Sequence, residues 1–118
     1  MRASIIAVAV LLLLSLIIIC NGVYISFITN DLINEIKELE PSDEKALNDA
    51  YEHWEKHHFY ICLSSPHEKT DKIEESFIVL LEKAKTGENE GFYEYRAMLI
   101  NYIEEIYRIQ AISLDSII

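Results

Sequence analysis

Glycine and proline are nearly missing from this chain, with three and two residues respectively, and cysteine occurs only twice. So few turn-formers exclude a collagen-like or disordered chain and leave little room for long loops. Two cysteines make no disulfide framework. Cys20 closes the first apolar run and Cys62 lies far away, so an internal bridge is not expected. Cys62 reads as a small buried apolar residue rather than a reactive thiol. No segment alternates with period two over a useful length, so strands are not indicated. The sequence also has no repeat at a fixed period, no glycine-rich phosphate loop and no nucleophile elbow.

Positive charge is scarce too. Twenty acidic residues stand against ten basic ones, a formal net charge of −10. That balance repels the phosphates of nucleic acid and argues against surface docking on anionic lipid. It tolerates a basic partner or cations. Its simplest meaning is a solvated acidic surface that keeps a domain soluble.

What is present begins with Ala3–Cys20, an uncharged stretch whose polar side chains are Ser4 and Ser15. A spanning helix needs about 20 apolar residues at a rise of about 1.5 Å each. Ala3–Cys20 with the mostly apolar Val23–Ile28 meets this. The sequence therefore divides into an uncleaved membrane anchor, residues 1–28, and an acidic domain, residues 29–118. Arg2 is the only charged side chain before Asp31. The positive-inside bias then puts the N-terminus in the cytoplasm and the domain outside. A cleaved secretory signal is the alternative, with Arg2 as its basic start and Ile5–Ile19 as its apolar core, and it would leave a secreted helical protein. Cys20-Asn21-Gly22 makes a poor cleavage site. A lipoprotein signal fails at Ile19, where glycine or alanine is wanted before the cysteine.

The first helix is expected to continue past the membrane. Ile25, Ile28, Leu32, Ile36 and Leu39 recur at three- and four-residue steps, until Pro41 ends the run. Ser42 or Asp43 can cap a second helix reaching Cys62 or Leu63. Its stripe is Leu47, Tyr51, Trp54, His58 and Ile61. After the break at Leu63–Pro66, Ser65 as N-cap, Pro66 at the first helical position and Glu68 in a capping box predict a third helix. That helix buries Ile73, Phe77, Leu80, Leu81 and Ala84, and Gly87 closes it. Asn89 opens a fourth, with Phe92, Tyr95, Leu99, Tyr102, Ile106 and Ile109 as its seam, widened by Met98, Ile103 and Ile112. Short connections make successive helices antiparallel neighbours. The expected fold is all-α: a transmembrane helix continuing into a small antiparallel bundle of about four helices, or stacked helical hairpins.

Histidines supply the sharpest chemical reading. His53 and His57 are four residues apart, as are His58 and Cys62, so each pair shares a helix face. One helical turn can bring two imidazoles to one zinc ion. The order His53-Trp54-Glu55-Lys56-His57 has its glutamate out of place for a zinc-protease motif or its inverse. A third ligand is not assured; His67 would have to return through the fold. The set His53, His57, His58 and Cys62 is therefore a weak metal-binding or metal-sensing option, and the expectation is no metal, no cofactor and no catalytic residue. The pairs Glu74–Glu75 and Glu104–Glu105 point about 100° apart on a helix and read as solvated faces. Trp54, with Tyr51, Phe59 and Tyr60, could line a peptide groove, although aromatics at this spacing are usually core.

The succession of an N-terminal span, a helix bearing Trp54, the turn His67-Glu68 leading into Asp71-Lys72-Ile73-Glu74-Glu75, a last helix with Leu99, Ile103 and Ile106, and an end near Ser113-Leu114 resembles an uncharacterised bacterial family of short single-span proteins. Ser116 stands where that pattern closes on asparagine. The resemblance implies a membrane-anchored, extracytoplasmic helical domain and supplies no activity or site residue. The functional expectation is an envelope protein, not an enzyme, that meets the membrane through Ala3–Ile28 and binds another protein, with self-association open.

Overall fold

The computed structural model describes the backbone of residues 1–117 and the side chains through Ile112. Ser113, Leu114 and Ser116 lie outside the described side chains. Four helices account for nearly all of the described chain: α1 (Arg2–Lys37), α2 (Glu44–Ser64), α3 (His67–Thr86) and α4 (Asn89–Ile117). The described residues contain no strand, and the fold is an all-α bundle with a long first helix.

Each helix packs on its two neighbours in the ring α1–α2–α3–α4, and α1 closes on α4. Two bonds fix that closure at one end: Arg96 donates to the carbonyl of Leu39 at 2.8 Å, and the Tyr93 hydroxyl donates to Glu40 at 2.8 Å. At the opposite end of the bundle Gln110 of α4 donates to the Ser64 carbonyl at the end of α2, at 3.4 Å. The polypeptide therefore runs up, down, up and down. Most residues expected to face inward do so, while Tyr51, Leu81, Ala84, Tyr95, Tyr102 and Ile109 are half-buried at the margin of the core. Ile25, Leu32, Ile36, Leu47, Trp54, Ile61, Ile73, Phe77, Leu80, Phe92, Leu99, Ile103 and Ile106 are all fully buried. Ile112 differs; it is exposed.

The helix ends follow local chemistry, with two departures. α1 stops at Lys37, two residues before Leu39, because the chain tightens there into a turn in which Leu39 N–H bonds the Ile36 carbonyl at 3.1 Å. Leu39 still reaches the core. Asp43 caps α2 by accepting from Ala46 N–H at 3.1 Å. The capping box expected at Ser65 does not form. Pro66 is extended (φ −60°, ψ 135°) and is itself the N-cap, so Ser65 sits one residue too early and its buried hydroxyl has no partner among the described residues. α3 ends at Gly87 with φ +75°, a left-handed conformation that costs glycine little.

α1 has two different halves. Every residue from Met1 to Leu14 is exposed. Packing begins at Gly22, and Ile25 and Ile28 belong to the core. The bundle thus reaches back into the segment assigned above to the anchor. The helix continues through this change of surroundings without a break. The molecule measures 68 × 22 × 22 Å, its long dimension set by the unpacked half of α1.

Candidate functional site

α2 carries polar groups on both flanks, and it distributes the four residues of the proposed metal set between them. Toward α1, His53 Nδ1 lies 2.9 Å from Glu35 Oε2, and His57 is hydrogen-bonded to the Tyr24 hydroxyl. The two imidazoles lie edge to face, 5.2 Å apart. Toward α3, His58 Nε2 contacts Cys62 Sγ at 3.2 Å, and the thiol also meets the Thr70 hydroxyl at 3.5 Å. Residues 57 and 58 are neighbours in sequence, so the helix turns them about 100° apart. Each pair shares a face as expected, but the pairs do not meet. His67 is exposed at the start of α3. Among the described residues, no group of three or more His, Cys, Asp or Glu side chains is placed to hold a metal ion.

Burial is the main cause holding the His57 imidazole below its ordinary value, with the charges of His53 and Lys56 adding to it. A neutral ring suits its bond to Tyr24. His58 is half-buried and lies 5.1 Å from the Trp54 ring, as its place in the apolar stripe suggested.

The strongest polar constellation is one the sequence did not flag. Glu74 of α3 accepts from the Tyr51 hydroxyl at 2.5 Å and from Trp54 Nε1 at 2.6 Å, both on α2. The Glu55 carboxyl shares a hydrogen bond with it. Burial alone would push the Glu74 carboxyl up, but the bonds from Tyr51, Glu55 and Trp54 outweigh it and hold Glu74 below the ordinary carboxylate range. Glu55 is pushed the other way, first by its bond to Glu74 and then by burial, so it keeps its proton to higher pH. Tyr51 is raised by its bond to Glu74 and by burial, and stays a phenol. The ionised oxygens of Glu74 are taken up by these donors, and the arrangement braces α2 against α3.

Glu74 is therefore half-buried rather than part of a solvated face, while its neighbour Glu75 is exposed as expected. Glu105 pairs with Lys69 at 2.9 Å. A signal for Glu74 existed: Tyr51 and Trp54 stand three residues apart on the core stripe, and a buried indole or phenol needs an acceptor. The four aromatics do not form one groove. Trp54 is core, Tyr51 packs on Phe77 at 5.4 Å, and Phe59 and Tyr60 are exposed.

An open cleft of about 340 Å³ runs between α3 and α4, lined by Ile78, Val79, Tyr95, Met98 and Tyr102, with Lys72 and Glu75 at its edge. Ile78 is half exposed there. No family model, curated protein or solved structure matches the chain.

Proposed function

We propose that this is a single-span membrane protein whose acidic bundle stands outside the cytoplasm and works by binding another protein. One observation carries the membrane part. α1 is long and apolar enough to cross a bilayer, and its apolar side chains from Ile5 to Ile18 are left uncovered by the bundle. A soluble helix would bury such a stripe. Arg2 at one end and the acidic bundle at the other favour an inside start and an outside domain.

The α3–α4 cleft supports the binding part. It is largely apolar, with one charge of each sign in its lining, and it lies on the α3–α4 side of the ring. Such a surface suits an amphipathic segment of another protein better than a small charged metabolite.

Three measurements test the reading. A membrane-impermeant maleimide should label Lys45→Cys in intact cells, above the background of Cys20 and Cys62; labelling only after lysis would reverse the topology. A photo-crosslinker at position 78 should yield a discrete adduct larger than the monomer. Recovery of monomer alone under several growth conditions would count against a protein partner. The mass of the mature chain distinguishes the anchored form from a secreted one.

A further inference from the structure

Resting on the reading that α1 crosses a bilayer, we propose that the base of the bundle is seated in the lipid headgroup layer through a collar of apolar and aromatic side chains from α1 and α2. The collar comprises Tyr24 and Phe27 of α1 with Phe59, Tyr60 and Leu63 of α2. These are large side chains, and the structure leaves Phe27 (66% exposed), Phe59 (66%) and Leu63 (67%) largely uncovered and the two tyrosines partly so. Three of them are in contact, the Tyr24 and Tyr60 rings lying 6.0 Å apart and those of Phe59 and Tyr60 5.5 Å apart; Phe27 and Leu63 follow Tyr24 and Tyr60 by three residues on the same helix faces.

Their height relative to the membrane follows from helix geometry. About 20 residues are needed to cross the hydrocarbon core. Counted from Ala3, they bring the far boundary to Gly22 or Val23. Tyr24 lies only about 2–3 Å beyond that boundary. Tyr60 is beside Tyr24, and α2 runs back toward the membrane, so Leu63 lies about 4.5 Å closer still. The bundle has no stalk to lift this end clear. Its α2–α3 turn must enter the headgroup layer, where tyrosine is favoured and apolar side chains gain burial.

The acidic charge of the chain is a smaller obstacle than its total suggests, because most of it lies elsewhere. The half of the bundle far from the span, residues 32–52 and 73–101, holds thirteen of the twenty acidic residues but only five of the ten basic ones. Composition alone disfavours anionic lipid; the distribution keeps most of that repulsion away from the base. Lipid is favoured over a protein partner as occupant because the collar continues directly from the lipid-facing surface of α1.

The test is depth-dependent quenching of tryptophan fluorescence in the full chain, reconstituted in phosphatidylcholine vesicles brominated either high or low on the acyl chain. Trp54 is fully buried and gives the background. Leu63→Trp should add emission that is blue-shifted and quenched by the shallow bromines. Leu12→Trp should be quenched by the deep ones, and Ile78→Trp, on the distant cleft, by neither. Quenching of Leu12→Trp without any at Leu63→Trp overturns the collar and leaves the span standing, pointing to a protein as the partner of this face. Absence of quenching at both positions removes the span and the collar together. Phe59→Trp provides the same reading if Leu63→Trp does not fold.

Discussion

Trp54 and Glu74 meet across the α2–α3 interface, the fully buried indole donating through Nε1 to Glu74 Oε2 at 2.6 Å. The same carboxylate takes the Tyr51 hydroxyl, so one residue of α3 satisfies two aromatic donors of α2. Glu74→Ala would leave the indole N–H buried without an acceptor. The expected loss of stability is about 1–3 kcal/mol, read from urea or thermal melts. Glu74→Gln keeps an acceptor and should lose less.

Glu55 gives the same interface a dependence on pH. Its folded value is raised by the bond to Glu74, so its contribution is complete below the ordinary 4.5 and fades as pH rises through the raised value. Glu55→Gln donates at every pH. It should match the natural protein in acid and exceed it by about 0.5 kcal/mol near neutrality, the scale of an exposed charge pair. Denaturation at the two pH values reads the difference.

His57 acts in the opposite sense. Its folded value is depressed below the ordinary 6.5, chiefly by burial. As pH falls below about 6.5 the unfolded chain takes up the proton first, and stability declines until the native ring also protonates. His57→Gln should remove this part of the slope in melts compared between about pH 7.5 and about 5.5.

The separation of the histidine pairs bears on metal binding. A melt of the purified protein with equimolar zinc is expected to coincide with one in chelator, because three-ligand geometry is lacking among the described residues. A rise in melting temperature that His53→Ala abolishes would show that α2 and its neighbours rearrange to build a site.

Where the bundle starts can be tested by shortening the chain. A protein of residues 22–118 retains Ile25 and Ile28, whereas one of residues 29–118 loses both from the core. Burial of each such side chain contributes about 1.5–3 kcal/mol. The longer form should be more stable by about 3 kcal/mol or more.

The fold was legible because each helix announces itself twice, by period and by punctuation. Phe92, Leu99 and Ile106 recur at helical steps, and Asp43 and Gly87 mark ends that the structure keeps. The capping box at Ser65 was misread because a proline can serve either as the cap or as the first helical residue, and only its ψ decides. The boundary of the bundle on α1 was hidden for a different reason. Ile25 looks the same to a hydropathy pattern whether lipid or another helix covers it. Glu74 was missed because its role depends on two donors more than 19 residues away, and pairings across an interface leave no periodic trace. The spacing on α2 already sets the two histidine pairs about 100° apart, but which neighbour each pair meets, α1 or α3, depends on how the helices pack.

The unbroken course of α1 from Arg2 to Lys37 makes the molecule a lever. No hinge separates the exposed apolar half from the half clasped by α2 and α4, so the two cannot change direction independently. From Gly22 to Leu39 the bundle rises about 26 Å. A span leaning by about 20°, an ordinary inclination for a membrane helix, would carry the far end of the bundle sideways by roughly 9 Å. Bilayer thickness, acting only on the first half of one helix, would thus set where Tyr93, Arg96 and the acidic far rim stand above the surface.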